Sequence, residues 1–226
     1  MFLLRTPLPW LFLMSLMSLG CSELRASAGA EESPVRSPVA PVTPLEAGQA
    51  EVVFAGGCFW CMEAPFDRIP GVVSTTSGYA GGAIVHPTYR EVSSGRTRHL
   101  EVIRVVYDPE RVTFNQLLEV FWHNVDPTDD GGQFCDRGHH YTSAIFARGA
   151  EERRAAQASL ERAQNELRSR GQTEPIVTPI RESTTFYAAE GYHQDYYRTN
   201  PRRYTQYRTG CGRDRRLSEL WGSSAH

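Results

Sequence analysis

Lysine is absent from this 226-residue chain, in which all 24 basic residues are arginine. A Walker A phosphate loop, a Schiff-base enzyme and a pyridoxal-phosphate anchor each need a lysine, so all three are excluded. Strong charge of either sign is also missing. The formal net charge is −2, which predicts no particular partner. Cysteine is scarce: Cys21, Cys58, Cys61, Cys135 and Cys211 make no regular disulfide framework, and a chain this long does not need one. Only one Cys-x-x-Cys is present, so the second close pair of a structural zinc site is missing. The residue after Cys61 is Met62, where a c-type haem attachment site has histidine. No metal site is expected.

Long hydrophobic runs are lacking too. The longest, Leu8 to Leu19, is too short for a comfortable membrane span but suits the apolar part of a signal peptide, with Arg5 before it and Ser18-Leu19-Gly20 as its small-residue end. Ser-Leu-Gly-Cys resembles a bacterial lipoprotein processing site, which makes Cys21 the expected lipidation site. Residues 1–21 therefore read as an export segment, and residues 22–49, with Pro34, Pro38, Pro41 and Pro44, as a disordered tether. The expected location is the bacterial periplasm or cell envelope, with membrane contact only through this N-terminal anchor.

Residues 50–222 read as one globular domain, the 40% hydrophobic content being enough for a full core. Strands are expected at 51–55, 72–80, 99–107, 141–147 and 176–180, and helices at 58–69, 113–123 and 150–170. Pro65 should kink the first helix. Loops are expected at 83–97 and 126–140, and an irregular, Tyr- and Arg-rich wrap over the last forty residues. The order gives an α+β two-layer sandwich with a mixed sheet and a split-βαβ, ferredoxin-like core. Arg198, Arg202, Arg203, Arg208, Arg213, Arg215 and Arg216 lie in the wrap. Asp195 and Asp214 break up their charge, so a solvated face is expected and no nucleic-acid partner.

Chemistry concentrates at Gly56-Gly57-Cys58-Phe59-Trp60-Cys61. A cysteine where a strand turns into a helix faces free backbone N–H groups and the positive end of the helix dipole. Cys58 is therefore expected to have a lowered pKa and to act as a nucleophile. Cys58 and Cys61 also fit a thioredoxin-like dithiol oxidoreductase.

Gly57-Cys58-Phe59-Trp60, Ser77-Gly78-Tyr79-Ala80-Gly81-Gly82, Pro87-Thr88-Tyr89-Arg90-Glu91-Val92 and Tyr192-His193-Gln194-Asp195-Tyr196 occur in that order. Together they resemble the type A peptide-methionine sulfoxide reductases, which reduce the S epimer of methionine sulfoxide. The resemblance covers about residues 51–205. It implies that Cys58 attacks the sulfoxide sulfur and that Glu101 is the acid. Tyr89, Tyr141 and Asp136 would lie at the sulfoxide oxygen, and Phe59 and Trp60 would hold the S-methyl group. Alternation of Glu101 with Ile103 and Val105 also predicts, from the residues alone, a buried and protonated carboxyl.

The product at Cys58 would be a sulfenic acid, which a second thiol resolves. The family's resolving cysteine follows an Asn-Pro, but after Asn200-Pro201 this chain has Tyr204-Thr205. Cys211 in its glycine-flanked tail ranks first as the replacement, then Cys61, then Cys135. A second departure is Arg98-His99-Leu100-Glu101, where the family usually has Gly-His-Ala-Glu. The implied substrates are oxidised proteins and free methionine sulfoxide. No bound cofactor is implied, and the implied reductant is a thioredoxin-like protein, with dithiothreitol as its substitute in vitro.

Overall fold

The computed structural model describes residues 37–222. The export segment, Cys21 and the first part of the tether lie outside the described residues. The elements run β1 (Ala50–Ala55), α1 (Phe59–Asp67), β2 (Val72–Ala80), α2 (Tyr89–Ser93), β3 (Leu100–Tyr107), α3 (Phe114–Trp122), β4 (Gly132–Gln133) and β5 (Asp136–Arg137). They continue through β6 (Ala144–Ala147), α4 (Gly149–Ser169), β7 (Ile180–Glu182), β8 (Tyr187–Ala188), α5 (Tyr196–Thr199), α6 (Pro201–Gly210) and α7 (Arg213–Trp221).

The sheet order is β7-β6-β1-β3-β2-β8, antiparallel throughout except at β6–β7. Its inner four strands, β6-β1-β3-β2, are those of a split-βαβ core. The two-residue period of β3 sorts its side chains. Leu100 and Val102 pack with Val53, Ala55, Ala144 and Phe146 on one face, while Ile103, Val105 and Tyr107 join Phe54, Phe59, Phe66 and Phe121 under the helices. Glu101 has the parity of the helix-covered face, which brings a carboxyl into the core beside α1.

Several boundaries differ from the sequence expectations. The chain is docked well before residue 50: Ala40 N–H donates to Ala189 O at 3.0 Å, and Gly191 N–H to Pro38 O at 3.0 Å. Buried Arg104 explains part of this, since it needs acceptors and finds Glu51 at 2.6 Å and Thr43 O at 2.8 Å. The loop at 83–97 contains α2, whose Thr88 and Glu91 cap each other's backbone N–H groups. The strand expected over 141–147 begins only at Ala144, behind a 3₁₀ turn at His139–Tyr141. The strand expected at 176–180 is displaced to β7, because Pro175 and Pro179 cannot donate to a ladder.

The C-terminal wrap is helical, not irregular. Helix α7 buries Leu217, Leu220 and Trp221 completely, and Trp221 Nε1 donates to Val125 O at 3.1 Å. So few apolar positions among arginines leave a faint pattern, but one tryptophan seats the helix. Several of the wrap's arginines find carboxylates, as in Arg208–Asp214 at 2.6 Å, Arg216–Asp126 at 2.7 Å and Arg198–Asp67 at 3.2 Å. Arg213, however, is not on the expected solvated face: it is buried and donates to backbone carbonyls.

Helix α1 also buries Glu63, which accepts from Ser77 Oγ at 2.9 Å. Burial raises its pKa from 4.5 to about 7. Between those two values the folded chain binds a proton that the unfolded chain has released, so stability falls as pH rises through this window. Glu63→Gln should remove this slope, worth roughly 3 kcal/mol. Urea unfolding at both ends of the window measures it, and an unchanged slope would reject the assignment.

Candidate active site

Strand β1 delivers the chain to Gly56-Gly57, and α1 starts immediately after Cys58. Gly57 is required there: its φ is +83°, and a Cβ would lie 2.6 Å from that of Gln133. Cys58 is the N-cap of α1 and only 5% exposed. The Phe59 N–H, the first free donor of the helix, is directed at Glu101 Oε2 at 3.2 Å. Glu101 is 1% exposed. Its burial outweighs that bond and pushes its pKa well above the usual carboxylate value, which favours the protonated form.

The lowered pKa expected for Cys58 is not what the site produces. Burial pushes the Cys58 thiol well up, with Cys61, Glu101 and Asp136 adding to the rise. The helix terminus cannot offset this, because its first N–H is already engaged by Glu101. The lowered thiol is Cys61. It shares a hydrogen bond with Cys58, which outweighs the opposing burial, and Arg213 and Arg208 act in the same direction. Pro65 contributes here. Having no N–H, it leaves the Cys61 carbonyl four residues back without its helical donor, and Arg208 Nη1 approaches that oxygen at 3.4 Å.

Around the thiols the structure gathers most of the residues singled out in the sequence. Tyr89, at the start of α2, and Tyr141, in the 3₁₀ turn, share a hydrogen bond and both feel Glu101 and Cys58. Burial pushes Tyr89 up to about 12 and Tyr141 higher. Asp136, at the start of β5, accepts from Tyr207 Oη at 2.5 Å, and Tyr207 also hydrogen-bonds Cys58. Burial raises the Asp136 pKa, against the pull of Tyr207, Arg213 and His140.

Phe59 is buried against His193 at 4.8 Å between ring centroids. Trp60 is half-buried and stacks on Tyr196 at 3.7 Å and 7°. Trp60 Nε1 donates to His193 Nδ1 at 3.1 Å, so that nitrogen carries no proton. Burial lowers the His193 pKa to about 4, which keeps the ring neutral.

The other two cysteines of the domain are bonded to each other. Cys135 and Cys211 form a disulfide, and the sulfur of each lies 3.8 Å from an Asp136 carboxylate oxygen. The first- and third-ranked resolving residues are therefore each other's partners, whereas Cys58 and Cys61 are free and in contact.

Sequence reasoning missed four residues of the site: Tyr207, His193, Arg213 and Glu190. Glu190 accepts from Tyr79 Oη and from Tyr89 N–H, both at 2.9 Å, and so fixes where α2 begins. His193 stood within a quoted motif without a role. Tyr207 and Arg213 had no local signal, since they come from α6 and α7.

A family model described as peptide methionine sulfoxide reductase matches residues 50–225. The chain is 47% identical over 184 residues to peptide methionine sulfoxide reductase MsrA 2 of Rhizobium meliloti, covering 81% of this chain and 89% of that protein. It is 48% identical over 171 residues to the MsrA enzyme of Bacillus subtilis, covering 75% and 94%. Among solved structures it is similar to methionine sulfoxide reductase A of Corynebacterium diphtheriae, with a TM-score of 0.65 and 35% identity over 74% of this chain and 84% of that one. The reduced form of Mxr1 from Saccharomyces cerevisiae gives 0.64 and 29%, over 70% and 90%.

Proposed function

This chain belongs to the peptide methionine sulfoxide reductase A family and reduces methionine sulfoxide, and we propose that Cys58 is the attacking thiol, Glu101 the acid and Cys61 the resolving thiol. The observation that carries this reading is a buried carboxyl, its pKa raised by that burial, held by the N–H next to Cys58.

Because burial keeps Cys58 protonated, attack is coupled to proton transfer. Glu101 gives its proton to the sulfoxide oxygen, and the proton leaving Cys58 restores Glu101. The sulfoxide S–O bond breaks and an S–O bond forms on Cys58. Methionine departs reduced by two electrons, and Cys58 is left as a sulfenic acid. Tyr89 and Tyr141 donate to the oxygen as negative charge grows on it. Asp136 holds Tyr207 against Cys58. The S-methyl group, positively polarised in this step, lies between the faces of Phe59 and Trp60.

Cys61 then attacks the Cys58 sulfur. Water leaves, and a Cys58–Cys61 disulfide forms at the start of α1. A thioredoxin-like dithiol restores it by exchange, with dithiothreitol sufficient in vitro. The scheme calls for no metal or bound organic cofactor. We further propose that residues 1–21 direct export, that Cys21 is lipidated, and that the following residues tether the domain in the cell envelope, where oxidised proteins and free methionine sulfoxide are its substrates.

The test uses the Cys61→Ser protein and separated sulfoxide epimers, without reductant. One methionine per protein should be released from the S epimer, leaving a sulfenic acid on Cys58 that dimedone captures. A disulfide from Cys58 to Cys135 or Cys211 would overturn the role of Cys61. Preference for the R epimer would overturn the whole scheme.

A further inference from the structure

Tyr89 takes its place in the site from a carboxylate 101 residues further along the chain. It is the first residue of α2, a helix of only five residues. So short a helix does not hold itself in place. Thr88 and Glu91 cap each other's N–H groups, but the Tyr89 N–H has no acceptor within the helix. Glu190 Oε1 accepts it at 2.9 Å, and Oε2 of the same carboxylate accepts from Tyr79 Oη at 2.9 Å. Glu190 and Tyr79 are both buried, so neither bond is readily exchanged for water.

Glu190 is held in turn by the segment that precedes β1. Val39 and Glu190 form an isolated antiparallel bridge. Ala40 N–H donates to Ala189 O and Gly191 N–H to Pro38 O, each at 3.0 Å, so one bond lies on either side of Glu190. Ala189 N–H donates to Ser77 O at 2.9 Å, which ties the same stretch to β2. Ala40 is buried, and three residues on, Thr43 O accepts from buried Arg104 at 2.8 Å. Residues 38–43 thus form a strap fastened at both ends. Every link from the strap to Tyr89 is a hydrogen bond or the covalent chain.

We propose that Glu190 and the docked residues 38–40 form a positioning unit for Tyr89. The strap fixes the Glu190 backbone, and the Glu190 carboxylate fixes the start of α2, so that Tyr89 Oη meets the sulfoxide oxygen. The inference rests on Tyr89 being a donor to that oxygen. Glu190 spends both its oxygens on Tyr89 N–H and Tyr79 Oη, so its role is positioning. A hydrogen bond tolerates only a few tenths of an ångström, so a small displacement of the first residue of α2 takes the phenol out of range. Tyr141 belongs to a separate element, the 3₁₀ turn, and is set independently of the strap. Residues 38–40, which composition assigns to a disordered tether, are on this reading part of the active-site machinery.

The test is a single turnover on the S epimer without reductant, reading the rate of methionine release at saturating substrate, with a thermal melt of each full-length protein. Tyr89→Phe should slow release roughly 10²-fold, and Glu190→Ala about tenfold. Glu190→Gln should restore most of that loss, because its amide oxygen can accept the Tyr89 N–H and its amide nitrogen can donate to Tyr79 Oη. Ala40→Pro removes one strap N–H and leaves Tyr79 paired, so it carries the test should Glu190→Ala fail to fold. It should slow release about threefold. In the Tyr89→Phe background neither Glu190→Ala nor Ala40→Pro should cost more than about 1.5-fold, since a residue acting through Tyr89 has nothing left to position. Losses that persist undiminished in that background overturn the positioning role and mark a general structural one. An unchanged rate in Ala40→Pro overturns the part of the strap. If Tyr89→Phe alone releases methionine at the wild-type rate, the donor assignment of Tyr89 fails and takes this proposal with it, an outcome the other two do not mimic.

Discussion

Replacing Cys58 by serine is expected to abolish methionine sulfoxide reduction, by a factor on the order of 10⁴ or more. A hydroxyl at this position is a far weaker nucleophile than a thiol, and no alternative nucleophile stands at the start of α1. Cys61 is one turn away and is the proposed resolving thiol. The fold should survive, because serine is close in volume and is among the favoured helix N-caps, so stability should change by no more than about 1 kcal/mol. The measurement is steady-state turnover of each separated epimer with dithiothreitol, together with a thermal melt. A folded Cys58→Ser protein that retains turnover would refute the nucleophile assignment.

Glu101→Gln should show the second largest loss, roughly 10²- to 10³-fold in kcat/KM. The amide oxygen can still accept the Phe59 N–H, so the geometry at the start of α1 is kept while the transferable proton is lost. The pH dependence adds a sharper check. Burial raises the Glu101 pKa, so the acid form persists above the ordinary carboxylate range, and wild-type kcat/KM should fall with rising pH as Glu101 ionises. In the variant that limb of the profile should be missing. Stability runs the opposite way. An acid with a raised folded pKa contributes stability below its unfolded value and loses it as pH rises through the folded one. Glu101→Gln should therefore be at least as stable as wild type above neutral pH, as denaturant unfolding would register. A variant with unchanged kcat/KM, or a drop explained by unfolding, would remove Glu101 from the chemistry.

These expectations differ from a simple activated-thiolate scheme because of a detail that local sequence does not contain. A cysteine at a strand-to-helix turn reads as a low-pKa thiol, since the helix end supplies uncompensated N–H groups. In the fold, a strand 42 residues further on places a carboxyl on the first of those groups, and the core covers both. The proposed scheme therefore couples attack to proton transfer, because burial raises both the Glu101 carboxyl and the Cys58 thiol.

Local patterns were read well wherever a single period governed an element. The two-residue alternation of β3 located Glu101 in the core, and the apolar spacing of α3 located that helix. A local signal was overlooked at Thr88-Tyr89-Arg90-Glu91, a reciprocal capping box that starts α2 and sets Tyr89. The C-terminal wrap was harder, because its helices α5 and α6 bury little and α7 is anchored by three apolar side chains and one arginine.

The sequence by itself determined the family motifs, the strand–turn–helix around Cys58, the alternation that buries Glu101, and the absence of lysine chemistry. Those depend on neighbours in the chain and on short periods. Tertiary structure decided how deeply the Cys58 thiol is buried and which cysteines are joined. It also decided that Tyr207 and Arg213 belong to the site at all. Ionisation and thiol pairing depend on what long-range packing brings within a few ångströms of each sulfur, and on how much water it removes. Cys135 and Cys211 lie 76 residues apart and meet only because α6 and α7 fold back over the β4–β5 tip.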